Sequence, residues 1–312
     1  MSAMIDSTYQ GVVARLPLNL RKPARTLLFE LGLARTSDAG WADVFRLAPS
    51  LDLPLFAQPG ERPCDERTLD AFRRAHHCAC FYSVLVDRMA DQQAATTPER
   101  ERLAAHFLSS WRQSLTEADG ERAHAVGAVD HGARALRCGA NLERAALARQ
   151  AMGLRRYGHS ILLKLGWAST ASECLLRHRV EAHRLGRFRS AFNLLAMALQ
   201  VVDDAEDGAE DEAVRGTSFP AMLGFPPAAF FTAGAMLTRA AMSAASQGGF
   251  EQFAQWLTLR SEELDQLRKR HVRPGDNLAG MVIASSLEAV CLSVARRTRG
   301  STAATTSFAS SM

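Results

Sequence analysis

A chain of 312 residues, 47% of them hydrophobic, has enough apolar side chain to bury a large core, which excludes an intrinsically disordered protein. The formal charge is only +4 and no block of five or six like charges occurs, so nucleic acid is not an expected partner. Six cysteines (Cys64, Cys78, Cys80, Cys138, Cys174, Cys291) are too sparse for a disulfide scaffold, and Asp6 stands where a secretory leader would be basic then apolar. The expected compartment is a reducing cytoplasm.

Helical periodicity dominates and alternating β-branched runs are absent, so the expected fold class is all-α. In chain order, the pattern predicts short helices over 8–18, 24–34 and 39–47. A loop is expected at 49–64, where Pro49, Pro54, Pro59, Gly60 and Pro63 interrupt any helix. Long helices are expected over 66–93, 98–117, 121–137, 140–166, 171–207, 226–246, 249–271 and 277–297. The last contains the most apolar stretch, Asn277 to Ala295. Glu288 and three serines interrupt it, so it reads as a buried helix and not as an integral membrane span. Residues 301–312 are rich in Ser, Thr and Ala without charge and read as a disordered tail. No repeat is visible. The expectation is one bundle over 1–300, about ten helices around a central apolar cavity, with its sites between facing helices.

Chemistry concentrates in two acidic groups. Leu199-Gln200-Val201-Val202 runs directly into Asp203, Asp204 and Asp207, the pattern D-D-x-x-D at the end of a long helix. Residues four apart share a helical face, so Asp203 and Asp207 point the same way, with Asp204 about 100° round the axis. Carboxylates gathered on an apolar helix repel one another, and at a C-terminus they also oppose the helix dipole, so a compensating cation is expected. Mg²⁺ suits oxygen donors of this kind and takes the rest of its shell from water and phosphate. A frayed, solvated helix end is the competing reading. Upstream, Phe81 to Val86 leads into Asp87 and Asp91, again four apart, and 116 residues before Asp203. Two such groups around one cavity would clamp a diphosphate through shared metal ions. His76-His77-Cys78-Ala79-Cys80 carries soft donors, but at helical spacing they do not converge, and a packed helix is expected there instead of zinc. The aromatics Phe81, Tyr82, Phe192, Trp167, Phe219, Phe230 and Phe231 read as core.

These residues resemble the trans-prenyltransferase and terpene synthase superfamily, the class I isoprenoid synthases. Arg215-Gly216-Thr217-Ser218-Phe219-Pro220-Ala221-Met222-Leu223-Gly224 resembles the segment that follows the family's second aspartate motif. Tyr157 to Gly166 resembles the helix in which the family carries a diphosphate-contacting lysine, here Lys164. Arg21-Lys22-Pro23-Ala24-Arg25 is similar to the basic segment that binds isopentenyl diphosphate in chain-elongating members. The resemblance implies Mg²⁺ at Asp87 and Asp91 and at Asp203, Asp204 and Asp207. It implies diphosphate contacts from Lys164 and Arg215, Gln200 facing the cavity, and a homodimer.

Two departures qualify it. Arg88 stands where a second aspartate is usual, and its fork geometry suits a phosphate or a carboxylate. Gln92, Gln93 and Ala94 stand where chain-elongating enzymes carry an Arg-Arg pair for the homoallylic co-substrate. The sequence therefore favours a terpene synthase that ionises one allylic prenyl diphosphate and cyclises or rearranges the cation. The alternatives are a prenyltransferase that joins the allylic group to isopentenyl diphosphate or another acceptor, and a catalytically inactive helical binding subunit.

Overall fold

The structure, a computed structural model, describes residues 2–44, 48–59, 63–272 and 276–309. Among these every regular element is helical and no strand occurs. The chain divides into two compact units, Met1–Arg144 with Leu163–Val180, and Ala145–Leu162 with Glu181–Met312.

The first unit contains α1 (Ser2–Arg15), α2 (Leu18–Arg25), α3 (Leu27–Glu30), α4 (Trp41–Val44), α5 (Ala48–Phe56), α6 (Glu66–Ala90) and α7 (Pro98–Asp119). Most of α8 (Arg122–Arg149), the end of α9 (Leu154–Leu165), a short 3-10 turn and α10 (Thr170–Arg177) complete it. Helix α6 is its axis. Asp65 caps it, accepting from Thr68 N at 2.9 Å, an arrangement that stabilises a helix start by about 1 kcal/mol. Helix α7 starts the same way, with Thr97 Oγ1 accepting from Arg100 N and Pro98 at the first helical position. Along α6 the buried residues Phe72, Ala75, Cys78, Ala79, Phe81, Tyr82 and Leu85 form its core face. Tyr9, Trp41 and Phe81 pack as a ring cluster with centroids 4.6–5.1 Å apart. Tyr9 donates its hydroxyl to Ala24 O, so the one polar atom of that ring is satisfied.

The second unit holds α11 (Ala182–Glu206), α12 (Gly208–Arg215), α13 (Phe219–Leu223), α14 (Pro227–Gln247), α15 (Glu251–His271) and α16 (Asp276–Ala309). Helix α14 is central and packs on α11, α15 and α16. Small residues permit the close approach. A Cβ on Gly234 would lie 2.5 Å from Val202 Cγ2 on α11, and one on Gly280 of α16 would lie 2.5 Å from Thr232 Cβ. The helix expected to be buried at 277–297 keeps one face in the open. Asp276–Val294 is long and apolar enough to cross a membrane, a third of it is buried, and Leu278, Met281, Val282 and Leu292 are exposed.

Several boundaries differ from the sequence pattern. The proline-rich segment expected as a loop contains α5, which tolerates Pro54 by leaving helical geometry at Asp52 (φ −135°, ψ 34°). Part of the expected 39–47 helix lies outside the described residues. Gly139 does not break α8; the chain turns at Gln150 (φ 50°) instead. The long helix expected over 171–207 is interrupted between Arg177 and Ala182. The stretch read as a tail continues α16 as far as Ala309, its run of Ala and Thr carrying no breaker but Gly300. All six cysteines are free thiols.

Candidate active site

In the first unit, α6 ends at Ala90 with Asp91 as its C-cap. Asp91 N bonds Asp87 O at 2.8 Å, and Gln92 takes a left-handed conformation (φ 59°) that closes the helix. Two carboxylates thus stand at the negative end of the helix dipole, and cations come to them. Arg144 Nη2 donates to Ala90 O at 2.7 Å, capping an open carbonyl of the last turn. Lys164, near the end of α9, places Nζ 3.1 Å from Asp87 Oδ1, 3.1 Å from Asp91 Oδ2 and 2.9 Å from Glu143 Oε2.

Three carboxylates therefore surround one ammonium, and the group keeps an excess of negative charge. Burial pushes the Asp87 and Glu143 carboxyls above the ordinary carboxylate range, against the pull of Lys164. Burial also opposes the charge on Lys164, but Glu143, Asp87 and Asp91 outweigh it and raise the ammonium well above its usual value. Asp87 Oδ1 is a buried oxygen whose approach to Lys164 lacks hydrogen-bonding geometry, so no hydrogen bond satisfies it. Arg88 is half-buried, and its guanidinium forms no hydrogen bond or ion pair among the described residues. Its charge lowers the Asp87 carboxyl only weakly against the larger effect of burial.

Glu143 escaped the sequence reading because it belongs to no motif. Its signal is positional. It takes a core position of α8, one turn after buried Ala140 and three residues before buried Ala146. A carboxylate in a core register calls for a partner, and here that partner is Lys164.

In the second unit, the three aspartates of α11 separate by face. Asp203 and Asp207 are exposed and lie one turn apart, with Asp207 N bonding Asp203 O at 2.9 Å. Asp204 turns inward and is 7% exposed. It accepts hydrogen bonds from the Tyr157 hydroxyl and from Gln200 Nε2, the latter at 2.9 Å. Tyr157 is itself wedged between Phe219 and Phe230. The Arg215–Gly224 segment is a pair of caps. Gly216 (φ 72°) ends α12, and Ser218 starts α13 by accepting from Ala221 N while donating to Glu212. Arg215 pairs with Asp211 at 3.4 Å, one turn back on its own helix.

Two cavities open in the first unit, the second of them beside the end of α6, where Ala90 and Arg144 line it. One of about 720 Å³ is bordered by Tyr9, Trp41, Arg25 and Asp43, and one of about 460 Å³ by Tyr82, Val86, Leu108 and Arg137. Neither is lined by Asp87, Asp91, Glu143 or Lys164.

No protein-family model and no curated protein matches this sequence. Among solved structures, the chain is similar to that of a polyprenyl synthetase from Streptomyces coelicolor A3(2). The TM-score is 0.54 at 15% sequence identity, over 93% of this chain and 96% of that one. At that identity the likeness speaks to architecture alone, and it agrees with the all-helical course of the chain: the protein has the isoprenoid synthase fold.

Proposed function

We propose that this protein is a Mg²⁺-dependent prenyltransferase, which ionises an allylic prenyl diphosphate and joins the allylic group to isopentenyl diphosphate or another acceptor. The observation that carries the reading is the convergence of Asp87, Asp91 and Glu143 on Lys164 at the end of an apolar helix, in a chain whose fold is that of a polyprenyl synthetase. This replaces the sequence-based preference for cyclisation, because the structural neighbour is named for polymerising prenyl units.

The donor chemistry fits a hard dication. Asp87, Asp91, Asp203, Asp204 and Asp207 all offer carboxylate oxygen, and Asp87 Oδ1 is buried without a hydrogen-bond donor. Each of the two groups would hold Mg²⁺ on its own carboxylates, and the ion would supply positive charge to a departing diphosphate. Tyr157 and Gln200 fix the orientation of Asp204, as outer-shell partners do for carboxylate ligands. Lys164 holds the first group together and is the cation that would contact diphosphate oxygens; Arg88, with no partner among the described residues, is a second. Free thiols agree with a cytoplasmic setting.

Cyclisation is the second reading, favoured by one observation. Gln92 and Gln93 are exposed and uncharged where a co-substrate diphosphate would need cations. Incubation with C10, C15 and C20 allylic diphosphates and Mg²⁺, each with and without isopentenyl diphosphate, separates the two. Prenyl transfer is expected to give longer diphosphates only with the co-substrate, whereas hydrocarbons or alcohols from the allylic substrate alone would establish cyclisation. If no diphosphate is released and a non-hydrolysable analogue with Mg²⁺ gives no thermal shift, neither enzyme reading stands. A ligand at 100 times its Kd should add about 2.7 kcal/mol.

A further inference from the structure

The turn from α7 into α8 meets the middle of α10 at three side chains that prenyl transfer does not use. Asp119 is the last residue of α7. Gly120, left-handed at φ 74°, reverses the chain, and His124 follows on the first turn of α8. His124 Nδ1 lies 2.9 Å from Asp119 Oδ2 and 4.0 Å from Cys174 Sγ on α10. One carboxylate oxygen, one ring nitrogen and one sulfur lie within 4.8 Å of one another. The Asp119 side chain is 1% exposed and that of His124 30%, so the cluster is walled on one side and open to solvent on the other.

Asp119 and Cys174 approach the same ring nitrogen. A nucleophile–histidine–acid relay requires them on opposite nitrogens, so proton relay to the thiol is excluded. Three donors converging on one point is instead the arrangement around a tetrahedral borderline-soft cation. Zinc bonds of about 2.0–2.1 Å to nitrogen and about 2.3 Å to sulfur place those atoms about 3.6 Å apart, and nitrogen and oxygen about 3.4 Å apart. From the observed 4.0 and 2.9 Å, each separation has to change by about half an ångström, within side-chain reach. Charge agrees as well. A carboxylate and a thiolate carry two negative charges, which a dication neutralises, whereas the neighbouring Glu121 already pairs with Arg177. His178, one turn beyond Cys174, accepts from Arg177 Nε at 2.9 Å and is not one of the three converging donors, so a fourth position would fall to water.

We propose that Asp119, His124 and Cys174 form a zinc-binding site that clamps the α7–α8 turn to α10, separate from the magnesium-binding carboxylates. The site is tested on the full-length chain with Zn²⁺ and with Co²⁺ as a spectroscopic substitute. One equivalent of Co²⁺ is expected to give tetrahedral visible bands and a thiolate charge-transfer band, both abolished by Zn²⁺, and Zn²⁺ is expected to raise the melting temperature. Cys174→Ser should remove the charge-transfer band, and Asp119→Asn should weaken zinc binding with the helical circular dichroism intact. If the wild-type chain shows neither thiolate–cobalt band nor zinc-dependent stabilisation, the proposal is overturned. A band that survives in Cys174→Ser overturns it equally, by assigning the metal to another thiol. Should Cys174→Ser fail to fold, mass-spectrometric mapping of wild-type thiol alkylation decides, since Zn²⁺ must then slow modification at Cys174 and not at exposed Cys138.

Discussion

The two acidic groups share a sequence pattern and differ in how the fold treats them. The group at the end of α6 is neutralised in place: Asp87, Asp91 and Glu143 surround Lys164, whose side chain is 11% exposed. The group at the end of α11 is split, with Asp203 and Asp207 in solvent and Asp204 held inward by Tyr157 and Gln200. The physical difference is solvation. Carboxylates in solvent are screened by water, whereas those withdrawn from it require a cation from the chain itself. Identical residue types at identical spacing therefore meet different surroundings in the two regions.

The sharpest test of that contrast is Lys164→Met. Removing the ammonium leaves three carboxylates without a counter-charge, and the chain should lose about 3–5 kcal/mol in urea denaturation. Adding Glu143→Gln to that variant should recover part of the loss, because one buried negative charge is gone. Wild-type stability for Lys164→Met would break the comparison at its root.

Asp52 calibrates the effect with one buried carboxylate held by Arg73, whose Nε donates to it at 2.7 Å. Burial pushes its carboxyl up, but Arg73, through its hydrogen bond and charge, and the His77 ring 3.7 Å away outweigh this and hold it at about 2. A folded-state value below the unfolded one stabilises above the unfolded value and is lost as pH falls through the folded one. Asp52→Asn should therefore cost about 2 kcal/mol at neutral pH, with the difference from wild type closing between about pH 4 and pH 2. A difference that is constant across that window would show that the charge of Asp52 is not what α5 and α6 share.

Smaller still is Tyr157→Phe, which takes away one donor to the inward Asp204 and should cost about 1–3 kcal/mol. Its thermal midpoint can be read against that of Asp203→Ala, where stability should change by less than about 0.5 kcal/mol because the side chain is exposed. The same Asp203→Ala variant should lose about a hundredfold or more in diphosphate release, since leaving-group stabilisation by a metal is worth several kcal/mol. Full activity would remove Asp203 from the site.

Much of this organisation was readable in the linear pattern. The end of α6 at Ala90–Asp91 and that of α11 at Glu206–Asp207 follow from apolar runs that stop at paired carboxylates. Glu143 was not readable as a partner, because its distance in sequence from Lys164 says nothing about proximity until α8 and α9 are folded back. The Asp119, His124 and Cys174 cluster was hidden for the same reason. The sequence directed attention to His76 through Cys80, whose side chains are spent on the core of α6.

Residue order alone determined the helical class of this protein, the positions of its apolar faces and the ends of the helices that carry its carboxylates. These are local properties, set by periodicity, capping and breakers within a few turns. Only the folded chain decided which carboxylates are buried, which one Tyr157 holds and where Lys164 delivers its charge. Burial and pairing are set by segments far apart in sequence, and electrostatic energy depends on the distances that packing brings about.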